Sequence, residues 1–483
     1  MNKNIYNQYL IKKSEFETLK RIDSFNLMQN AAKLCADYIV KKHHSKRILI
    51  ICGPGNNGGD GALIANYLLD ENFFVQINYP IAKPNKPDSL KAYHLLENKD
   101  AIVENPLFGD YELIIDSLYG IGKNREFNKK ILELFSEINN SKKNIISIDM
   151  PSGVDIDTGI ISNVAIKANT TLTFHRYKPG QLLLPGKSYC GDLILLDIGL
   201  TDLDNESNSQ IYSYIKPPTP KVEDHKYSRG TTLIIAGENL IGASKLAFFS
   251  CSQSVLRSGS GLCKLLVKES DINFFKSNIL EEMILAYRDI NHLKEIVKNE
   301  NCNVVIFGCG IDLNNHNEDI LKFLIKQEKN LVLDASIFSM MQKRKDDYFS
   351  LLHLRNSVTI MTPHHGEFKR LFDVTDNKIL DSINAAKKSN SIIVYKGNDT
   401  IVASSKKAIL NVNSSAYLAT AGSGDVLAGI IAGILSQGMS SLESASLACH
   451  IHSECGISLG AGLTAGDLIK EIPKTIKSII DKL

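Results

Sequence analysis

None of the nine cysteines stands in a CxxC pair, so neither a zinc ribbon nor a dithiol redox motif is written into the chain. The odd, scattered set reads instead as buried reduced thiols, and Cys449 and Cys455, six apart, are too far along one helix to bridge. Charge of one sign is also lacking. The formal net charge of +2 gives no field for nucleic acid or a membrane surface. No apolar run approaches the roughly 20 residues of a spanning helix, and the polar opening Met1 to Leu10 does not read as a signal peptide. These absences lead to the expectation of a cytoplasmic protein without membrane or nucleic-acid partners. There is no GxxxxGK[ST] Walker loop and no internal repeat. What remains is an ordinary globular composition, 43% hydrophobic, in a chain long enough for two cores.

What is present is a series of apolar strands that end in glycine or polar loops. Thr420-Ala-Gly-Ser-Gly-Asp-Val-Leu427 is the densest. It reads as a glycine turn opening a helix, where free amides and the positive dipole end suit a phosphate. Asp425 at that mouth can take a proton from a hydroxyl, so the pair suggests phosphoryl transfer to an alcohol; the plain alternative is an N-capped helix. Gly308-Cys-Gly-Ile-Asp312, Thr362-Pro-His-His-Gly-Glu367 and Lys396-Gly-Asn-Asp-Thr400 each follow a strand-like run, and ligands of open α/β sheets gather at that edge.

The first half repeats the logic with different words. Arg47 to Ile51 leads into Cys52-Gly-Pro-Gly-Asn-Asn-Gly-Gly-Asp-Gly61, followed by a helical pattern. Leu113-Ile-Ile-Asp-Ser-Leu-Tyr-Gly120 and Ile146-Ser-Ile-Asp-Met-Pro-Ser-Gly153 are strands that end in aspartate. Oxygens from Asn, Asp and Ser at three strand ends suit a hard cation; strand-end capping is the plain alternative for the aspartates. Lys216-Pro-Pro-Thr-Pro-Lys-Val-Glu223 reads as a stiff linker. The coarse pattern is a helix over 14–41, then alternating strands and helices to Leu196. In the second half it gives a strand at 231–236 and helices near 243–257, 424–436 and 442–459. Such alternation implies parallel sheets covered on both faces.

With Arg229-Gly-Thr-Thr-Leu-Ile-Ile-Ala-Gly237, Ile241-Gly-Ala-Ser244, Ser258-Gly-Ser-Gly-Leu262, Thr362-Pro-His and Gly422-Ser-Gly-Asp425 in order, residues from about 222 resemble the ribokinase-like domain of ADP- or ATP-dependent NAD(P)H-hydrate dehydratases. The first half resembles the NAD(P)H-hydrate epimerase domain. Together they look like a bifunctional NAD(P)H-hydrate repair enzyme. The resemblance implies an α/β chain with a Rossmann-like three-layer sandwich over 1–213, a linker over 214–223 and a ribokinase-like α/β domain over 224–483.

It also implies roles. In the epimerase, Asn56, Asn57, Gly58, Gly59 and Asp60, with Gly120, Ile121, Gly122, Lys123, Asn124, Arg125, Glu126 and Asp149, would hold the substrate. Asp149 would be acid/base, and Asn57, Asp116 and Ser152 would bind a potassium ion. In the dehydratase, Ala243, Gly310, His364 and Asp425 would hold the hydrate, with Asp425 as the base. Lys396, Gly397, Asn398, Asp399, Thr400 and Gly424 would hold an adenine nucleotide, ADP favoured over ATP, with magnesium. Partners would be NADH-hydrate and NADPH-hydrate, the adenine nucleotide and further copies of the chain in a homo-oligomer.

Several positions depart from the family pattern. Gln29 and Ala32 stand where Glu and Gly are usual, Ser336 where a second Asp is usual, and Cys309 and His365 where Pro is common. Leu280-Glu-Glu-Met283 lacks the usual Pro. Two rivals are a small-molecule kinase of the ribokinase or hydroxyethylthiazole class with an accessory N-terminal domain, and a non-catalytic N-terminal half of the kind found in mRNA-decapping scaffolds. The intact Asn56 to Asp60 run argues against the first, and the near-neutral charge with retained Asp116 and Asp149 against the second. His450 and His452, on opposite sides of a helix, do not share a metal, and Lys41 to Arg47 reads as a solvated helix end.

Overall fold

The computed structural model describes residues 3–43, 47–96, 99–120, 127–161, 163–237, 241–276 and 281–482, the side chains of 241 and 243 excepted. By compactness the chain divides into Met1–Ser207 and Asn208–Leu483.

The first unit is built on six parallel strands: β1 (Arg47–Cys52), β2 (Phe74–Asn78), β3 (Leu113–Ser117), β4 (Asn144–Ile148), β5 (Thr170–Phe174) and β6 (Asp192–Leu196). Their spatial order is β2-β1-β3-β4-β5-β6. The near-continuous apolar runs are explained by burial on both faces. Ile48 and Ile50 pack with the helices Ser24–Lys42 and Asn56–Asp70, while Leu49 and Ile51 pack on the opposite face with Phe135 and Ile138 of the helix Lys129–Asn140. This is a three-layer sandwich. The chain runs outward from β1 to β2 and then returns to β3, so a crevice opens between the ends of β1 and β3.

The second unit carries β7 (Ser209–Ile211), β8 (Thr231–Ile235), β9 (Leu262–Lys268), β10 (Met283–Tyr287), β11 (Val304–Phe307), β12 (Asn330–Leu333), β13 (Thr359–Met361), β14 (Ile392–Tyr395), β15 (Thr400–Ala403) and β16 (Ala408–Asn411). Their order is β10-β9-β8-β11-β12-β13-β14-β15-β16-β7. From β10 to β14 all pairs are parallel; β15 is antiparallel to both of its neighbours. Ile234, Val304 and Ile306 face one core with the helices Ile241–Arg257 and Ser423–Leu435; Leu233, Ile235, Val305 and Phe307 face the other. The switch in strand order lies between β8 and β11.

Two sequence expectations change. The helix expected over 14–41 is two helices, Gln8–Leu19 and Ser24–Lys42, because the Asp23 carboxylate accepts the Phe25 amide at 2.9 Å and caps the second. Residues 209–211, expected within the first domain, form β7, paired in parallel with β16 of the second sheet. The Pro217–Pro220 stretch therefore runs inside the second unit, after its edge strand.

Candidate active sites

In the first unit the β1 end turns through Gly53-Pro-Gly55 straight into the helix Asn56–Asp70. The turn is tight enough that a Cβ on Gly58 would stand 1.8 Å from the Gly53 carbonyl oxygen. Asp60, one turn in, is buried; desolvation first, then the charges of Asp149 and Glu15, push its carboxyl well above the ordinary carboxylate range. Glu15 is raised as well, by burial and by Asp149.

Asp116 at the end of β3 is held on all sides. Its Oδ2 accepts the Ser147 hydroxyl and the Ser152 amide, both at 2.8 Å, and its Oδ1 accepts the Ser152 hydroxyl at 2.6 Å. Burial still raises its proton affinity against these donors. Ser152 Oγ in turn accepts the Tyr119 amide at 3.0 Å. Of the expected cation ligands, Asp116 and Ser152 are thus in direct contact. Asn57 lies alongside Gly120, whose Cβ would meet its carboxamide carbon at 3.4 Å, and its buried Nδ2 has no partner among the described residues. Residues 121–126 of the expected substrate loop lie outside the described residues.

Asp149 ends β4 with φ at +66°, an uncommon conformation for a side-chain-bearing residue. That turn aims its carboxylate at Lys178, whose Nζ donates to it at 2.5 Å and also to Thr173 Oγ1 and the Phe174 carbonyl. Gln181 Nε2 holds the Asp149 carbonyl at 2.7 Å. Lys178 is fully buried, and desolvation lowers its pKa against the pull of Asp149. An ion pair shielded from water, beside carboxyls of raised proton affinity, can give and take a proton at a bound substrate.

The second unit gathers its groups at the ends of β11, β12 and β14 and at the start of the helix Ser423–Leu435. Gly422 adopts φ +82° as the cap of that helix, and a Cβ there would meet the Ala465 methyl at 2.9 Å. The first intrahelical bond runs from the Val426 amide to the Gly422 carbonyl at 3.0 Å, so the Gly424 and Asp425 amides precede the ladder. Asp425 is mostly buried. Desolvation first and Asp334 second push its carboxyl up to about 6, against the pull of Cys309 and Lys396. It is therefore mainly carboxylate at neutral pH and close to the ideal affinity for a general base.

Asp334, buried at the end of β12, accepts Lys396 Nζ at 2.8 Å. Lys396 also lies 3.9 Å from Glu367, and a Cβ on Gly424 would meet its ammonium at 3.5 Å. Lys396 and Gly424 thus converge. The side chains of the rest of the expected nucleotide segment are held by local bonds: Asp399 pairs with Lys378, Asn398 accepts the Ser414 hydroxyl, and Thr400 Oγ1 closes on the Gly397 carbonyl at 2.6 Å. His364 caps the helix His365–Leu371 through Nδ1, its Nε2 lies 3.4 Å from Glu367 Oε1, and its side chain is 56% exposed. Gly310 has φ +63° and accepts the Ser244 hydroxyl at 2.7 Å; Ala243 lies on the same helix as Ser244.

Several groups escaped the sequence reading. Lys178 and Gln181 belong to no recognised run, though a lysine before Pro179-Gly180 was visible. Asp334 was not singled out, only Ser336 beside it as standing in for a second aspartate; in the structure Ser336 Oγ donates to the Ile311 carbonyl at 2.5 Å while Asp334 faces Lys396. His452 was set aside as a metal ligand, and its Nε2 instead meets Ser423 Oγ at 3.0 Å. Cys309 places its thiol against Asp334.

Comparison with known proteins agrees with both halves. Residues 232–478 match the family described as NAD(P)H-hydrate dehydratase, and residues 24–180 match the one described as YjeF-related protein N-terminus. The bifunctional NAD(P)H-hydrate repair enzyme Nnr of Dictyoglomus turgidum is 31% identical, covering 94% of each chain. The protein of the same name from Archaeoglobus fulgidus is 29% identical, covering 93% of each. Among solved structures, the ADP/ATP-dependent NAD(P)H-hydrate dehydratase of Bacillus subtilis, co-crystallised with ATP/Mg2+, is 24% identical with a TM-score of 0.46, over 55% of this chain and 95% of that one. With both family matches present and a relative of this identity aligned along nearly the whole length, the chain belongs to the family of bifunctional NAD(P)H-hydrate repair enzymes.

Proposed function

We propose that this chain repairs hydrated NADH and NADPH, epimerising the R and S forms in its first unit and dehydrating the S form in its second, in the cytoplasm and as a homo-oligomer. The observation that carries the second half is Asp425 at the mouth of a glycine-capped helix, with Lys396 and Asp334 beside it. ADP is the preferred phosphoryl donor and enters as its magnesium complex, with its terminal phosphate over the Gly424 and Asp425 amides. Lys396 and Gly397 to Thr400, with Gly424, hold the nucleotide; Ala243, Gly310 and His364 hold the hydrate. Asp425 removes the proton from the ring hydroxyl as its oxygen attacks the terminal phosphorus. The reaction needs mainly positioning and charge stabilisation, which the helix end and Lys396 offer. The ring nitrogen then expels the phosphate, a ring proton is lost, and NAD(P)H, AMP and phosphate are released.

In the first unit Asp149 is the acid/base residue and Lys178 holds its carboxylate in place. Asp60 and the glycine turn, with Gly120 and the loop over 121–126, hold the hydrate. Asn57, Asp116 and Ser152 suit potassium: they offer hard oxygen donors at adjacent strand ends, with Asp116 and Ser152 already in contact at 2.6 Å. Bound there, the ion would supply positive charge that orders the strand-end loops.

The test is recovery of reduced-nicotinamide absorbance from mixed epimers with magnesium, potassium and either ADP or ATP. Full recovery that requires nucleotide, faster with ADP, is expected. Recovery that stops at the S fraction would sink the epimerase half. No recovery with either nucleotide, but phosphorylation of a small alcohol, would put the kinase reading in its place.

A further inference from the structure

At the centre of the second site, a residue that departs from the family pattern stands where a proton donor matters. Gly308-Cys309-Gly310 follows β11, and both glycines adopt positive φ, +121° and +63°. A Cβ on Gly308 would stand 1.9 Å from the Asp334 carbonyl oxygen, so the loop lies hard against the end of β12. This delivers the Cys309 thiol, 3% exposed, into the space between two carboxylates. Its Sγ donates to Asp334 Oδ2 at 4.0 Å, and Sγ, an Asp334 oxygen and an Asp425 oxygen all lie within 4.8 Å of one another.

The other Asp334 oxygen is taken by Lys396. Lys396 reaches Asp334 and Glu367. The inner sides of Asp334 and Asp425 therefore face each other, with one weak donor between them.

We infer that Cys309 is a positioning residue of the dehydratase: its thiol bridges the Asp334 and Asp425 carboxylates, damps their mutual repulsion and keeps Asp425 available as the base. The inference rests on the proposed role of Asp425 and goes beyond it by naming what tunes it.

The electrostatics point the same way. Asp425 is pushed up by burial and by Asp334 and held down by the thiol ahead of Lys396. The groups facing it are Asp334 after β12, Cys309 after β11 and Lys396 after β14. Behind them stand Glu367 and His364 at the β13 end, both facing Asp334 and Lys396, and the Cys251 thiol of the helix Ile241–Arg257, which touches Cys309. Lys396 bonds the opposite oxygen of Asp334, so deletion of the thiol removes the donor that lies between the two carboxylates. A proline at this position, the residue common in the family, would offer no donor at all, so the thiol is a feature of this chain's own tuning.

The test is the pH profile of dehydration for wild type, Cys309→Ala and Cys309→Ser. Loss of a donor to the charged form raises its pKa, so the acid limb of Cys309→Ala should move up by about one pH unit. A hydroxyl is the stronger donor, so the limb of Cys309→Ser should stay at or below that of wild type. An unmoved limb in Cys309→Ala, or equal upward shifts in both variants, would overturn the inference; a packing role predicts lower activity with no such order.

A second reading needs no turnover and survives a misfolded alanine variant. The S–H stretching band of Cys309, identified by its loss in Cys309→Ser, should shift in Asp425→Asn. A band unmoved by that change would overturn the bridge. Absence of hydrate dehydration in wild type, with the band shift intact, would instead strike the proposed reaction and leave the bridge standing.

Discussion

Asp425 and Lys178 show two opposite uses of burial on a single side chain. Asp425 keeps a carboxylate whose affinity is pushed up to about 6. The sign follows directly: below that value the base is protonated and cannot accept the substrate proton, so dehydration should fall as pH drops through about 6 and level off above it. An acid limb at the ordinary carboxylate value near 4 would contradict the assignment. Asp425→Asn should cost about 100- to 10,000-fold in dehydration, read from initial rates at saturating nucleotide. Lys178 is the reverse case, a cation held in the interior by the Asp149 carboxylate. Lys178→Met leaves that carboxylate buried without its cation and should destabilise the first unit by about 3–5 kcal/mol in denaturant unfolding. A smaller loss, with epimerase activity kept, would mean that water reaches Asp149 and that the pair is not part of the chemistry.

At the scale of elements, the strand-loop-helix junctions were legible and the sheet edges were not. Arg47–Cys52, Val304–Phe307 and Ile392–Tyr395 are unbroken apolar runs because both of their faces are covered, so composition alone marks them. Ser209–Ile211 is only three residues of mixed polarity, and nothing local distinguishes it from the polar stretch before it; its identity comes from pairing with β16, about two hundred residues away. The same holds for the sites. Glycine-aspartate runs mark where ligands gather, but Lys178 reaches Asp149 only because β4 and β5 are neighbours, and Asp334 reaches Lys396 only across β13. The most exacting junction is the turn between β1 and its helix. Gly58→Ala would drive a methyl into the Gly53 carbonyl, backbone against backbone, so the helix must shift outward. We expect a loss of about 1–3 kcal/mol for overpacking, together with loss of epimerisation, since Asn57 and Asp60 ride on the same turn. A crystal structure of the variant with an unmoved helix, or wild-type epimerase rates, would refute the account.

The whole molecule pairs two α/β units, and the groups proposed for each reaction lie, among the described residues, within one of them. Asp149, Lys178, Asp60 and Asp116 all lie in Met1–Ser207; Asp425, Asp334, Lys396 and Cys309 all lie in Asn208–Leu483. A chain of this construction should be separable by substitution. Asp149→Ala should dehydrate the S form at the wild-type rate and stall when it is exhausted. Asp425→Asn should equilibrate the epimers, followed by chiral chromatography, and regenerate almost no NAD(P)H. Mixed together, the two proteins should restore complete recovery, because the hydrate released by one intact unit is a free substrate for the intact unit of the other. Their joint rate should rise with total protein concentration while the extent stays complete. A mixture that still stops at the S fraction would mean that the epimer passes only between units of one chain.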